Sequence, residues 1–118
     1  MDRSKTLREL CDSLKVTRRV IQGYERAGLI SATDKNKYGH LLYDEQSQEK
    51  IARIRLYQQL GFTIKDIQKL IDAPAMVVAT TLEKRILQLK KEQENMNALI
   101  EKAHEIINDI NSRRNMSH

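Results

Sequence analysis

This sequence has little that could form a crosslink, a metal cage or a turn. Its one cysteine, Cys11, excludes an internal disulfide framework and a multi-cysteine zinc site. Three histidines, His40, His104 and His118, are scattered without ligand spacing, so we expect no metal and no cofactor. There is no glycine-rich phosphate loop, and nothing pairs Cys11 with a base, so an enzyme is not expected. No apolar run approaches the ~18 residues of a membrane span, and no signal-peptide core follows Met1. The expected location is therefore the cytoplasm, with no membrane partner. Glycine and proline are confined to Gly23, Gly28, Gly39, Gly61 and Pro74. With so few breakers, nearly all the remaining chain carries helical period, and the expected fold is mainly all-α.

The charge that is present is uneven. Lys and Arg number 21 against 16 Asp and Glu, a net charge of +5. Residues 1–43 hold nine of these cations and five of the anions, residues 44–72 five of each, and residues 73–118 seven and six. The excess sits in the first third, the footprint expected for an anionic partner, nucleic acid before membrane.

Helix signals follow in order. TLRE at Thr6–Glu9 has the form of a capping box, in which the Thr6 hydroxyl takes the Glu9 N–H and the Glu9 side chain reaches back. Leu7, Leu10, Cys11 and Leu14 then repeat at helical spacing as a buried face. Cys11 on that face reads as a packed thiol. Lys15-Val16 leaves room for a tight turn, and Thr17 can cap a second helix that Gly28 closes. On that helix Val20 and Tyr24 are expected to pack inward, while Arg18, Arg19, Gln22 and Arg26 lie largely elsewhere. Two such helices joined by a short turn form a helix-turn-helix, whose second helix can enter a major groove. Ser31–Tyr43 reads as a small hairpin with a polar tip at Asp34-Lys35-Asn36-Lys37. Asp44 can cap a third helix running to about Leu60, with Ile51, Ile54, Leu56, Tyr57 and Leu60 as its apolar residues. Thr63 opens a fourth through a second capping box, TIKD, with Ile64, Ile67, Leu70 and Ile71 inward.

The last element differs in kind. After Pro74, nothing breaks the helical pattern from Ala75 to about Arg114, roughly 60 Å at ~1.5 Å per residue. Its apolar positions alternate at four and three: Leu82, Ile86, Leu89, Gln93, Met96, Ile100, Ala103, Ile107 and Ile110. This places Ile86, Gln93, Ile100 and Ile107 at a, and the others at d, of a coiled coil. Leu99 and Ile106 widen the stripe at g. Gln93 in the seam reads as a register device. No second long helix exists within the chain to cover the stripe, so a second chain is the expected partner.

The order of these elements resembles that of MerR-type transcription regulators. YERAGLI (Tyr24–Ile30) resembles the family signature Tyr-Glu-Arg-x-Gly-Leu-Leu/Ile at the end of the recognition helix. YGHLLY (Tyr38–Tyr43) sits where the family has Gly-Tyr-Arg-x-Tyr in its wing. IARIRLYQQLGFTIKDIQKLI (Ile51–Ile71) is similar to the third and fourth helices, with the Leu-Gly-Phe-Thr link at Leu60–Thr63. The resemblance covers roughly residues 6–71 by motif. It implies a winged helix-turn-helix domain over 1–72, containing two short helices after the wing, and a coiled-coil dimerisation helix with a short tail over 73–118.

The resemblance also implies a function. Such proteins are homodimers joined by an antiparallel coiled coil, and they bind pseudo-palindromic promoters. Many distort the DNA so that RNA polymerase engages both promoter elements. The residues expected to meet DNA are Thr17, Arg18, Arg19, Gln22 and Arg26 on the recognition helix, and Lys35, Lys37 and His40 on the wing. Arg18 and Arg19 are the candidates for base edges, and Lys35 and Lys37 for phosphates. The chain departs from the family at Gln22 and Gly23, where Arg and Tyr are usual, and at His40-Leu41, where Tyr-Arg is usual. Those departures favour an alternative, a protein-interaction module or antagonist of a related regulator that binds DNA weakly.

Overall fold

Two capping boxes start helices where the local chemistry asks for them. The computed structural model describes residues 3–116, and His118 lies outside them. Thr6 Oγ1 accepts the Glu9 N–H at 3.3 Å, and Glu9 Oε1 accepts the Thr6 N–H at 3.1 Å, which opens α1 (Leu7–Leu14). Thr63 and Asp66 repeat the arrangement at 3.2 and 3.0 Å and open α4 (Ile64–Leu70). In both boxes the backbone N–H bond holds the carboxyl below its ordinary range. Thr17 caps α2 (Arg18–Arg26), and Asp44 caps α3 (Glu45–Gln59) by accepting the Ser47 N–H at 2.8 Å.

The chain divides into two compact units, Met1–Pro74 and Ala75–His118. In the first, helices pack on a small antiparallel sheet in the order β1-β3-β2, made of β1 (Lys5–Thr6), β2 (Asp34–Lys35) and β3 (Leu41–Tyr43). Lys5 faces Tyr43 and Thr6 faces Leu42, while Asp34 faces Leu42 and Lys35 faces Leu41. The hairpin thus differs from its expected form in two ways. Asp34 and Lys35 are paired strand residues and not its tip, and the strand ahead of α1 adds a third member.

The core joins Leu10 of α1, Ile21 and Tyr24 of α2, Tyr43 of β3, Ile51, Ile54 and Tyr57 of α3, and Ile67 and Leu70 of α4, all buried. At roughly 1.5–3 kcal/mol for each large apolar side chain, these residues fix how the helices sit on one another. Two expectations are corrected here. Ile21 is fully buried and Val20 only half-buried, because the inward face of α2 runs through Ile21 and Tyr24 at three-residue spacing. Leu56 is 52% exposed, since the apolar face of α3 narrows to the Ile51–Ile54–Tyr57 row. Cys11 is half-buried, and burial raises its thiol pKa while Arg18 opposes the rise.

The second unit is α5 (Ala75–Met116), an uninterrupted helix of 42 residues. Leu82 and Leu89 are half-buried, and Gln93 and Ala103 are exposed. Ile86, Met96, Ile100, Ile107 and Ile110 are also exposed, with Ile100 and Ile107 each at 50%. Leu99 and Ile106 add to the uncovered stripe at 65% and 63%.

Candidate nucleic-acid interface

The turn before α2 is tight because Lys15 adopts φ 55°, a left-handed conformation, and the Val16 N–H donates to the Cys11 carbonyl at 3.1 Å. Thr17 Oγ1 then accepts the Val20 N–H at 3.3 Å. At the other end Gly28, at φ 74°, lets the Leu29 N–H turn back to the Tyr24 carbonyl at 3.0 Å. Both ends of α2 are therefore set by local sequence.

Its orientation is set by three long-range hydrogen bonds. The Tyr24 hydroxyl donates to Gln58 Oε1 of α3 at 2.5 Å. The Tyr43 hydroxyl of β3 donates to Glu25 Oε1. Gln68 Nε2 of α4 donates to the Ala27 carbonyl at 2.8 Å. Burial pushes the Tyr43 phenol well above its ordinary range, and the Glu25 carboxylate pushes it further by accepting its proton in a hydrogen bond. Burial also raises the Tyr24 phenol, and the positive charge of Arg55 opposes that rise. In the sequence, Glu25, Tyr43, Arg55, Gln58 and Gln68 stand out only as members of motifs, with no role of their own. Contacts across 18 to 41 residues leave no periodic signal.

With α2 anchored on its inner face, Thr17, Arg18, Arg19, Gln22 and Arg26 are exposed. Thr17 spends its hydroxyl oxygen on the cap. Among the described residues Arg18, Arg19 and Arg26 make no ion pair and no side-chain hydrogen bond. Glu25, the acid next to Arg26 in the chain, is engaged with Tyr43.

The wing is shaped by Asn36. Its Oδ1 accepts the N–H groups of Tyr38 and His40, both at 3.0 Å, and Gly39 follows at φ 82°. Lys35, Lys37 and His40 are exposed. The Lys37 ammonium sits 5.1 Å from the centre of the Tyr38 ring, and the Tyr38 and His40 rings are 6.3 Å apart. The fold thus gathers the predicted residues on two exposed elements, and the Tyr43–Glu25 bond ties those elements together. Among the described residues no group of three or more His, Cys, Asp or Glu could hold a metal, and no helix is long and apolar enough to cross a membrane.

A helix-turn-helix with a three-stranded wing, two further helices and a long terminal helix is a winged helix-turn-helix protein. Residues 5–74 match the model of the MerR HTH family regulatory proteins, and the chain belongs to that family. It is 36% identical over 63 residues to the mercuric resistance operon regulatory protein of Bacillus cereus, covering 53% of this chain and 48% of that one. Across the curated relatives it matches, the chain spans between about a quarter and a half of their length. Two solved structures share the fold. A MerR family transcriptional regulator from Bacillus cereus superposes with TM-score 0.65 at 24% identity, over 82% of this chain and 75% of that one. HiNmlR, a MerR family regulator lacking the sensor domain and bound to promoter DNA, superposes with TM-score 0.54 at 14% identity, over 89% and 79%.

Proposed function

We propose that this chain is a DNA-binding transcription regulator, acting in the cytoplasm as a homodimer on a pseudo-palindromic promoter and without enzymatic activity. The observation that carries this reading is the pair Arg18 and Arg19. They stand exposed and unpaired at the N-terminal end of a helix whose inner face is fixed by hydrogen bonds to α3, α4 and β3. In a helix-turn-helix that end meets base edges, and a guanidinium can fork onto guanine O6 and N7. Thr17, Gln22 and Arg26 border the same face. Lys35, Lys37 and His40 on the wing supply contacts to the phosphate backbone.

The seam Leu82, Ile86, Leu89, Gln93, Met96, Ile100, Ala103, Ile107 and Ile110 joins two copies through an antiparallel coiled coil. Half-exposed isoleucines along one stripe of α5 support this reading, since a stripe of that length left in water favours aggregation. On this reading the segment 1–72 reads DNA, and the segment 73–118 dimerises. Two reading domains on one dimer match a two-fold promoter, and distortion of the DNA between half-sites brings its elements into register for RNA polymerase.

A salt-dependent gel shift against genomic DNA fragments tests the proposal and returns the operator. Retention of a subset of fragments at physiological salt supports it. Equal, weak retention of all fragments favours the interaction module that Gln22, Gly23 and Leu41 suggest.

A further inference from the structure

His40 is the only histidine in the unit Met1–Pro74, and histidine is the side chain whose ordinary titration falls between pH 5 and 8. It stands at the end of the wing turn with its main chain held at both ends. Asn36 Oδ1 accepts the His40 N–H at 3.0 Å, and the His40 carbonyl accepts the Asn36 N–H at 2.9 Å. The imidazole itself is exposed and makes no ion pair and no hydrogen bond among the described residues. Its ring meets only the Tyr38 ring, at 6.3 Å. Leu41 and Leu42 follow, and Tyr43 is buried, so on this arm of the hairpin His40 alone can present a charge to solvent.

The surroundings of His40 are cationic. Lys37 lies in the same turn, 5.1 Å from the centre of the Tyr38 ring that His40 meets. On β2 are Lys35 and Asp34, and the Asp34 carboxylate accepts the Lys35 N–H at 2.8 Å. Across β3 lie Lys5 of β1 and, on α1, Arg8, Glu9 and Asp12, with Glu9 held in its capping box. In the free wing, two lysines against one aspartate disfavour a further positive charge on the imidazole. Backbone phosphates stay anionic through this pH range and reverse that preference.

We propose that the wing is a proton-linked DNA clamp, in which His40 takes up a proton from solvent as it meets a backbone phosphate, so that DNA affinity rises as pH falls below neutrality. The inference rests on the DNA-binding reading and adds a mode of regulation to it. Lys35 and Lys37 supply attraction that pH does not change, and His40 supplies a part that it does. An imidazole favoured in its charged form by DNA contributes fully below the titration of the free wing, near pH 6.5 for an ordinary histidine. That contribution is lost as pH rises through the titration of the bound wing.

The test measures affinity and salt slope for the full chain between pH 5.5 and 8, on the operator and on a mixed-sequence duplex, with a thermal melt at each pH. His40→Gln and His40→Arg are the variants, one never charged and the other always charged. The unmodified protein should bind both duplexes more tightly at pH 5.5 than at pH 8, by about fivefold for each wing. Its salt slope should be steeper at pH 5.5 by about one per wing. His40→Gln should bind at every pH as the unmodified protein binds at pH 8. His40→Arg should bind at every pH as the unmodified protein binds at pH 5.5. Affinity and slope that do not change with pH in the unmodified protein overturn the inference and leave the DNA-binding reading standing. A pH dependence that survives in His40→Gln overturns it equally, since another group then carries the proton. If the unmodified protein binds neither duplex at any pH, the DNA-binding reading fails and the inference fails with it.

Discussion

The Tyr43 hydroxyl donates a hydrogen bond to Glu25 Oε1, joining the wing strand to the recognition helix. Tyr43 is fully buried and Glu25 half-buried, so neither group has bulk water as an easy substitute. The fold therefore sets the angle between the two elements offered to DNA, and does not leave it to a flexible hairpin.

Removing that donor has a measurable cost. Tyr43→Phe keeps the ring in the core but leaves the Glu25 carboxylate without its partner. A bond to a charged group is worth about 1.5–3 kcal/mol, and we expect a loss of that order. Urea unfolding that gives a lower midpoint with an unchanged slope checks it.

Alkaline pH attacks the same bond. Burial and Glu25 raise the folded Tyr43 phenol above its ordinary value, and burial raises Tyr24. Below pH about 10 both phenols are protonated folded and unfolded, and their contribution is fully present. Above it the unfolded chain loses these protons while the folded chain keeps them, so stability falls as pH rises. Thermal melts between pH 8 and 11 should therefore drop steeply past about 10, and Tyr43→Phe should flatten that drop.

The seam on α5 has a direct test. Ile100 is an a position near the middle of the stripe, 50% exposed in the single chain. If two copies pair along this stripe as proposed, Ile100→Asp places a charge in the seam, and should convert the dimer to a monomer and reduce helix content. Light scattering and circular dichroism at micromolar concentration read both effects. The unmodified protein should also melt at a temperature that rises with concentration.

Local chemistry was legible in the sequence, and tertiary pairing was not. The boxes at Thr6–Glu9 and Thr63–Asp66 and the caps at Thr17 and Asp44 use residues within one turn, so their spacing states the outcome. The uninterrupted α5 was equally plain, because the absence of breakers is itself a signal. The strand Lys5–Thr6 was hidden, since two residues carry no period and its partner lies on β3. The wing tip was misplaced by two residues, because the Asn36 carboxamide organises the turn beyond it. The exposed arginines were found by sequence. The bonds of Tyr24, Tyr43 and Gln68 that aim them were not, because each joins two helices or a helix and a strand far apart in the chain.

The most direct test of the central claim, that α2 reads DNA sequence, is a pair of salt titrations for each variant, on the operator and on a scrambled duplex. Arg18→Ala and Arg19→Ala should each cost about 1–3 kcal/mol on the operator and much less on scrambled DNA, which narrows the preference. Lys37→Ala should weaken both equally and lower the salt slope by about one per half-site, which preserves it. Operator preference left intact by both arginine variants would contradict the account, since α2 would then not be the element that reads the sequence.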